Sequence, residues 1–198
     1  MNTEATATAE QTRSVLNSLA AVLDGIRDEQ TDDPTPCTDY TVADLRSHVV
    51  GWATAFGEGF GDPEGQAPDA SSIAVEGSGA EQVRAAGDAI VAGIEGGGAE
   101  RELKLADGMA MPGGMALAMT LWEYQVHGWD LAKATGQDWV PADQSLESSI
   151  TFADQMLTPD FQGEGKPFGP RVDVADDAPA LDRLVAMSGR DPEWSPGA

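Results

Sequence analysis

Glu123 and His127 stand four residues apart in Leu121-Trp122-Glu123-Tyr124-Gln125-Val126-His127-Gly128-Trp129-Asp130, a stretch that otherwise reads as buried helix. Side chains at i and i+4 leave a helix from one face, one above the other. A carboxylate and an imidazole stacked in this way can hold one divalent cation between them. The chain has only two histidines, and the other, His48, follows Val42-Ala43-Asp44-Leu45-Arg46-Ser47 on what reads as a different helix. If the fold sets His48 opposite the pair, two imidazoles and a carboxylate supply three ligands. That is the number an open catalytic zinc site uses before water or substrate takes the fourth position. Zinc is the expected ion, and nickel, iron and cobalt suit the same donors. Such an ion draws the proton from a bound water or thiol near neutral pH, making a nucleophile without a strong base.

Plainer readings compete. A partly buried histidine is commonly a hydrogen-bonded core residue, and a Glu–His pair at this spacing is commonly a surface pair. The cost of burial favours the metal. On a helical wheel Ala116, Met119, Glu123, His127, Asp130 and Ala134 share one sector. Three ionisable groups in a small, apolar row are expensive to bury unless they share a counter-ion. Asp130 fits either a carboxylate that orients a ligand imidazole or a partner for an N–H elsewhere in the bundle. Trp52, Trp122 and Trp129 lie in apolar helical stretches and read as core. Met109, Met111, Met115 and Met119 read as gap-fillers rather than soft-metal ligands. Cys37 reads as a small, semi-buried residue, since nothing in the sequence puts an activating group beside it.

The elements that must position these residues can be read from apolar spacing. Val15, Leu16, Leu19, Val22, Leu23 and Ile26 predict a first helix over about Thr8 to Ile26. The proline-containing segment around Pro34 and Pro36 cannot continue it. Thr41 with Asp44 forms a variant capping box that starts a second helix, striped by Leu45, Val49, Trp52, Phe56 and Phe60, with His48 on the flank. Gly57 to Gly77 predicts a loop, Ala80 to Ile94 a third helix stopped by Gly96-Gly97-Gly98, and Arg101 to Leu105 a short extended stretch in a structured loop. A fourth helix, from about Met115 to Thr135 and ended by Gly136, is apolar around most of its girth. Ala142 to Met156 predicts a further helix, Pro159 to Asp177 irregular chain, and Ala178 to Met187 a last short helix. The expected fold is all-α: one domain over 1–198, a bundle of four long helices with a short C-terminal extension at about 159–198.

Charge narrows the partners. With 34 acidic and 11 basic side chains the net charge is -23, which opposes phosphate backbones and anionic lipid surfaces, so neither nucleic acid nor membrane is expected. A single cysteine excludes an intrachain disulfide and a Cys-rich zinc cluster. The start Met1-Asn2-Thr3-Glu4-Ala5-Thr6 has no basic region leading into an apolar run, and no stretch reaches the ~18 apolar residues of a membrane span. A cytoplasmic location is expected.

Thr35-Pro36-Cys37, Asp39-Tyr40-Thr41-Val42, Leu45, His48-Val49-Val50-Gly51, Glu123 and Val126-His127-Gly128-Trp129-Asp130-Leu131-Ala132 together resemble the mycothiol-dependent maleylpyruvate isomerase N-terminal domain of the DinB/YfiT-like superfamily. Phe168-Gly169-Pro170, Ala180-Leu181-Asp182-Arg183-Leu184 and Gly189-Arg190-Asp191-Pro192 resemble the end of a single-domain, uncharacterised branch. The resemblance implies a four-helix bundle in which His48, Glu123 and His127 hold a divalent metal, usually zinc. It also implies a low-molecular-weight thiol, mycothiol or bacillithiol, as partner in transferase or isomerase chemistry on an electrophilic small molecule. The extra C-terminal domain of the isomerase is missing here, so its substrate does not carry over. The alternative reading is a non-catalytic metal-binding or stress-associated protein, or a homodimer whose site has drifted.

Overall fold

Asn2 sets the start of the first helix. Its side chain accepts from the backbone N–H groups of Glu4 and Ala5, which caps α1 (Thr3–Asp24). The cap lets the helix begin at Thr3, five residues before the expected start near Thr8, and Gly25 ends it before Ile26. The computed structural model describes residues 2–166 and 168–196. Met1, Pro167, Gly197 and Ala198, which the expected domain and extension include, lie outside the described residues.

The capping box between Thr41 and Asp44 forms as the sequence suggests and opens α2 (Val42–Gly61). This helix runs through Gly57, where a loop is expected from the glycine content. Gly57 and Gly59 serve close packing instead. A Cβ on Gly57 would stand 3.2 Å from the backbone of Ala86, on the helix packed against it. That partner is α3 (Ala80–Glu95). A two-stranded antiparallel hairpin follows, β1 (Glu102–Lys104) and β2 (Ala110–Pro112), with Leu103 opposite Met111. It gives regular form to the expected extended stretch. The chain then enters α4 (Gly113–Thr135), closed by Gly136 at a left-handed φ of 70°. The chain ends with α5 (Asp143–Met156) and α6 (Ala180–Met187).

The first four helices pack as a bundle, α1 and α2 each lying against both α3 and α4. Leu16, Leu19, Leu45, Ile90, Leu117, Leu121 and Leu131 meet in its core. The remaining face of α4 enters a second apolar cluster, where Trp122 and Val126 pack with Leu146 and Ala153 of α5, with Leu157 just past its end, and with Leu184 of α6. Each buried leucine stabilises this contact by roughly 1.5–3 kcal/mol over exposure. Two cores on opposite faces explain why α4 is apolar nearly all round. Three polar ties run along the same helix. Trp122 Nε1 donates to Ser188 Oγ at 3.0 Å, Arg190 pairs with Asp130, and Lys133 Nζ donates to Pro192 O at 3.1 Å. The architecture is the all-α bundle with a C-terminal extension expected from the sequence. No helix among the described residues is long and apolar enough to cross a membrane.

Gly128 sits where α4 meets the Trp139 ring, and a Cβ there would approach ring carbons to 2.2 Å. Trp139 is anchored in place, its Nε1 donating to Gln125 O at 3.0 Å. Gly128→Ala is expected to cost ~1–3 kcal/mol through overpacking. Urea unfolding should show a lower midpoint at unchanged slope, whereas an unmoved midpoint would mean that the indole can step aside.

Candidate metal centre

Helical spacing on α4 puts Glu123, His127 and Asp130 in one row, and the His127 ring is held at both nitrogens. Nε2 lies 3.2 Å from Glu123 Oε2 and Nδ1 lies 3.0 Å from Asp130 Oδ2. Asp130 is fully buried, and Arg190 answers its charge, with Nη2 at 3.1 Å from Oδ2 and Nε at 3.4 Å from Oδ1. Arg190 is itself fixed through Nη1, which donates to Ser188 O at 2.8 Å. His48 arrives from α2. Its ring centroid is 5.1 Å from that of His127, the two rings lying edge to face, and its Nδ1 is 3.4 Å from the Tyr40 hydroxyl. The fold therefore gathers His48, Glu123 and His127 around one space.

The donor set can be tested against a cation. Two ligands each ~2.0–2.1 Å from a tetrahedral ion stand ~3.3 Å apart. The 3.2 Å between Glu123 and His127 matches that edge, and it also matches a hydrogen bond. The Asp130 contact separates the two uses. With Nδ1–H donated to a carboxylate, the neutral ring carries its lone pair on Nε2, the nitrogen that faces Glu123, and such a carboxylate is the usual support of a metal-ligating histidine. Among the described residues a different trio, Cys37, His127 and Asp130, has all its ligating atoms within 4.8 Å of one another. It is the poorer cage. Asp130 could turn to an ion only by leaving Arg190 as an unpaired buried charge, a change of about 3–5 kcal/mol.

Protonation follows from the same neighbours. Burial, then the nearby His127, hold His48 down to about 4, against the pull of Glu123, so its imidazole is neutral at pH 7 and free to act as a ligand. Burial works against a charged His127, yet hydrogen bonds to Asp130 and Glu123 prevail and raise it. Burial would raise Glu123 and Asp130, and their cationic neighbours outweigh it: His127 for Glu123, Arg190 and then His127 for Asp130. Burial pushes the Cys37 thiol up to about 11 in spite of Arg190, so it is neither thiolate nor ready ligand at pH 7.

Two cavities of about 220 Å³ each open onto the cluster and share His48, Glu123 and His127 as lining. Polar groups, among them Asp39, Tyr40, Ser188 and Arg190, line the first. The second is walled by Trp52, Phe56, Leu105 and three methionines. Sequence reasoning did not find Arg190. The signal was indirect: a buried Asp130 needs a cation, and only 11 basic residues are available to supply one.

Residues 12–132 match the mycothiol maleylpyruvate isomerase N-terminal domain. The chain belongs to this family. Two uncharacterised proteins of Mycobacterium tuberculosis, one from strain CDC 1551 / Oshkosh and one from strain ATCC 25618 / H37Rv, are 31% identical over 175 residues. The similarity covers 88% of this chain and 92% of each relative. No solved structure matches the chain. The isomerase-domain match spans His48, Glu123, His127 and Asp130 and stops at Ala132, before α5, α6 and Arg190.

Asp130→Asn keeps the shape of the side chain and removes the charge that orients His127. Zinc affinity measured by competition with a chromogenic chelator should fall ~10–100-fold; unchanged affinity would exclude His127 as a ligand supported in this way. The two histidines also act in different pH windows in metal-free protein. His48 is depressed from an unfolded value near 6.5 to about 4, so the stability linked to its neutral form is full above 6.5 and lost as pH falls towards 4. His127 is raised, so its contribution is full below 6.5 and lost only as pH climbs through its folded value. His48→Gln should therefore flatten the acid limb between pH 6.5 and 4 by roughly 1–2 kcal/mol, allowing for partial exposure. Urea titrations of both proteins at the two pH values check this, and parallel limbs would refute it.

Proposed function

We propose that this protein holds a divalent ion, zinc in the first place, through His48, Glu123 and His127, and uses it with a mycothiol-like thiol to act on an electrophilic small molecule as a transferase or isomerase. The observation that carries the reading is the fixed His127 ring, with Nδ1 on the Asp130–Arg190 pair and Nε2 turned to Glu123 beside a neutral His48. When bound at these residues, the ion supplies acidity, letting a thiol lose its proton near neutral pH.

The chain's own groups do the rest. The neighbouring carboxylates favour a proton on His127, and any proton at Nε2 would have to leave to solvent before that nitrogen could coordinate. Glu123 is three-quarters shielded from water and contributes a charge that burial alone would neutralise. Asp130 and Arg190 cancel one another, which keeps the His127 ring from turning as the charge beside it changes. The polar cavity offers the Arg190 guanidinium, the Tyr40 and Ser188 hydroxyls and the Asp39 carboxylate to a hydroxyl-rich thiol, in keeping with the mycothiol of the family's description. In a transfer, the thiol sulfur forms a bond to carbon, the leaving group departs with its electron pair, and the thiol proton passes to water. In an isomerisation, the sulfur adds to a conjugated double bond, the loosened bond rotates, and elimination returns the thiol unchanged.

Zinc-loaded protein should conjugate mycothiol with monobromobimane well above the uncatalysed rate, and Glu123→Gln should lower the catalysed rate about 100-fold, the scale of a lost electrostatic contact at a reacting centre. Bimane fluorescence after chromatographic separation reads the rate. Stoichiometric zinc with no conjugate above background would leave a metal-binding protein without this chemistry.

A further inference from the structure

The two cavities that meet at the cluster differ in kind, and the difference bears on what the second reactant can be. The one that lacks Arg190 is bounded on α2 by Trp52 and Phe56, whose rings lie 5.5 Å apart between centroids. The hairpin supplies a second wall with Leu105, Met109 and Met111, and α4 supplies Met119. Leu105 N donates to Met109 O at 2.7 Å across the hairpin end, and Gly108 takes a left-handed φ of 87°, so the chain turns tightly there and leaves Met109 54% exposed at the mouth. His48, Glu123 and His127 form the floor. Among the described residues no lysine or arginine lines this cavity, and its ionisable histidines and carboxylate, His48, Glu123 and His127, all lie at the floor, away from the apolar walls.

We propose that this cavity is the electrophile's subsite, and that it selects an uncharged, apolar molecule of about one substituted aromatic ring over its carboxylated counterpart. The inference rests on the thiol-transfer reading for what happens at the floor, and on the cavity alone for what binds. Size sets the upper bound: a dry apolar cavity of ~150 Å³ accommodates benzene, so about 220 Å³ takes a ring with a small substituent. Methionine thioethers adapt in shape and make favourable contacts with aromatic edges, so the walls tolerate variety in the ring. Charge sets the selection. A carboxylate at the far end of the ring would be stripped of water among Trp52, Phe56 and the methionines with no cation to receive it. The net charge of -23 already opposes anions at the entrance. The division of labour is then physical: the polar thiol enters beside Arg190, the apolar reactant enters beside the hairpin, and they meet over His48, Glu123 and His127.

Binding and turnover can be read separately. With seven methionines, protein labelled with 13C at the methyls gives few NMR signals, and no metal or thiol is needed to record them. The neutral, unreactive probe 4-methylanisole should shift the methyls of Met109, Met111 and Met119, and 4-methylbenzoate should need at least tenfold higher concentration for the same shift. Met109→Lys places a cation at an exposed mouth position that the fold tolerates, and should close or reverse that tenfold preference. In zinc-loaded protein with mycothiol, 4-methylbenzyl bromide should show a KM at least tenfold below that of 4-(bromomethyl)benzoate. In that reaction a sulfur–carbon bond forms, the carbon–bromine bond breaks, bromide leaves with the pair and the thiol proton goes to water. Methyl shifts without any conjugate would sink the transfer reading and leave the subsite standing. Bimane conjugation without methyl shifts, or equal affinity for both probes, would overturn the subsite. Methyl shifts that follow protein concentration, with a dimer on gel filtration, would also overturn it by showing a second copy over the cavity.

Discussion

A fully buried carboxylate between a guanidinium and an imidazole is the contact on which the rest of the site depends. Asp130 is charged without access to water, a state that persists only because Arg190 reaches it with two nitrogens and His127 donates to it. Removing either partner would strand a charge in low dielectric. The arrangement therefore locks three things together: the rotamer of His127, the tautomer that frees Nε2, and the path of the C-terminal chain that carries Arg190. A ring fixed at one nitrogen by a neutralised pair can change its proton or its ligand at the other nitrogen with little rearrangement. That is the property a preorganised site requires.

Arg190 can do this because the C-terminal region is packed and not merely appended. Trp122 and Val126 turn away from the bundle core into the cluster made with α5 and α6, and the Trp122 indole bonds to Ser188, two residues before Arg190. Apolar burial sets the position of the chain and the hydrogen bond sets its register, so the guanidinium arrives at Asp130 at fixed depth. One helix thus serves the bundle on one side and the extension on the other, and it shows its ionisable row along the seam between the two. The isomerase-domain match covers the ionisable row of α4 and ends at Ala132, before the C-terminal region that packs on the other side of the seam.

Much of this was legible in the sequence because it depended on local rules. The Thr41–Asp44 capping box, the glycine stop at Gly136, the apolar periods of α1, α2 and α3 and the all-round apolar girth of α4 read directly. The pairing of Glu123 with His127 follows from helical spacing, and the approach of His48 could be suspected because the chain has only one other histidine. What did not read was set by contacts distant in sequence. Glycine at positions 57 and 59 suggested a loop, yet α2 continues through both because α3 and the hairpin press too closely for a side chain. Asn2 extends α1 into polar sequence that carries no apolar signal. Tyr40 beside His48 and Arg190 beside Asp130 are tertiary facts, the second spanning 60 residues, and no periodicity encodes them.

Charge around the cluster adds a constraint that ties the proposed ion to the proposed thiol. With His127 protonated, the two cations His127 and Arg190 balance the two carboxylates Glu123 and Asp130, while His48 stays neutral. The buried groups are then neutral as a set, and the ion-free site is stable as it stands. Under the proposed loading, a divalent ion in place of the His127 proton leaves the set one unit positive. A hydroxyl-bearing neutral ligand would leave that excess uncompensated in a poorly solvated space, whereas a sulfur that has lost its proton cancels it. The same balance weakens the case for Cys37 as the reacting sulfur, because its thiol is pushed up to about 11 and faces the Asp130–Arg190 pair, which has no charge to spare. A thiol brought from outside through the polar cavity restores neutrality without disturbing that pair, and the apolar cavity opposite then needs to present nothing but carbon.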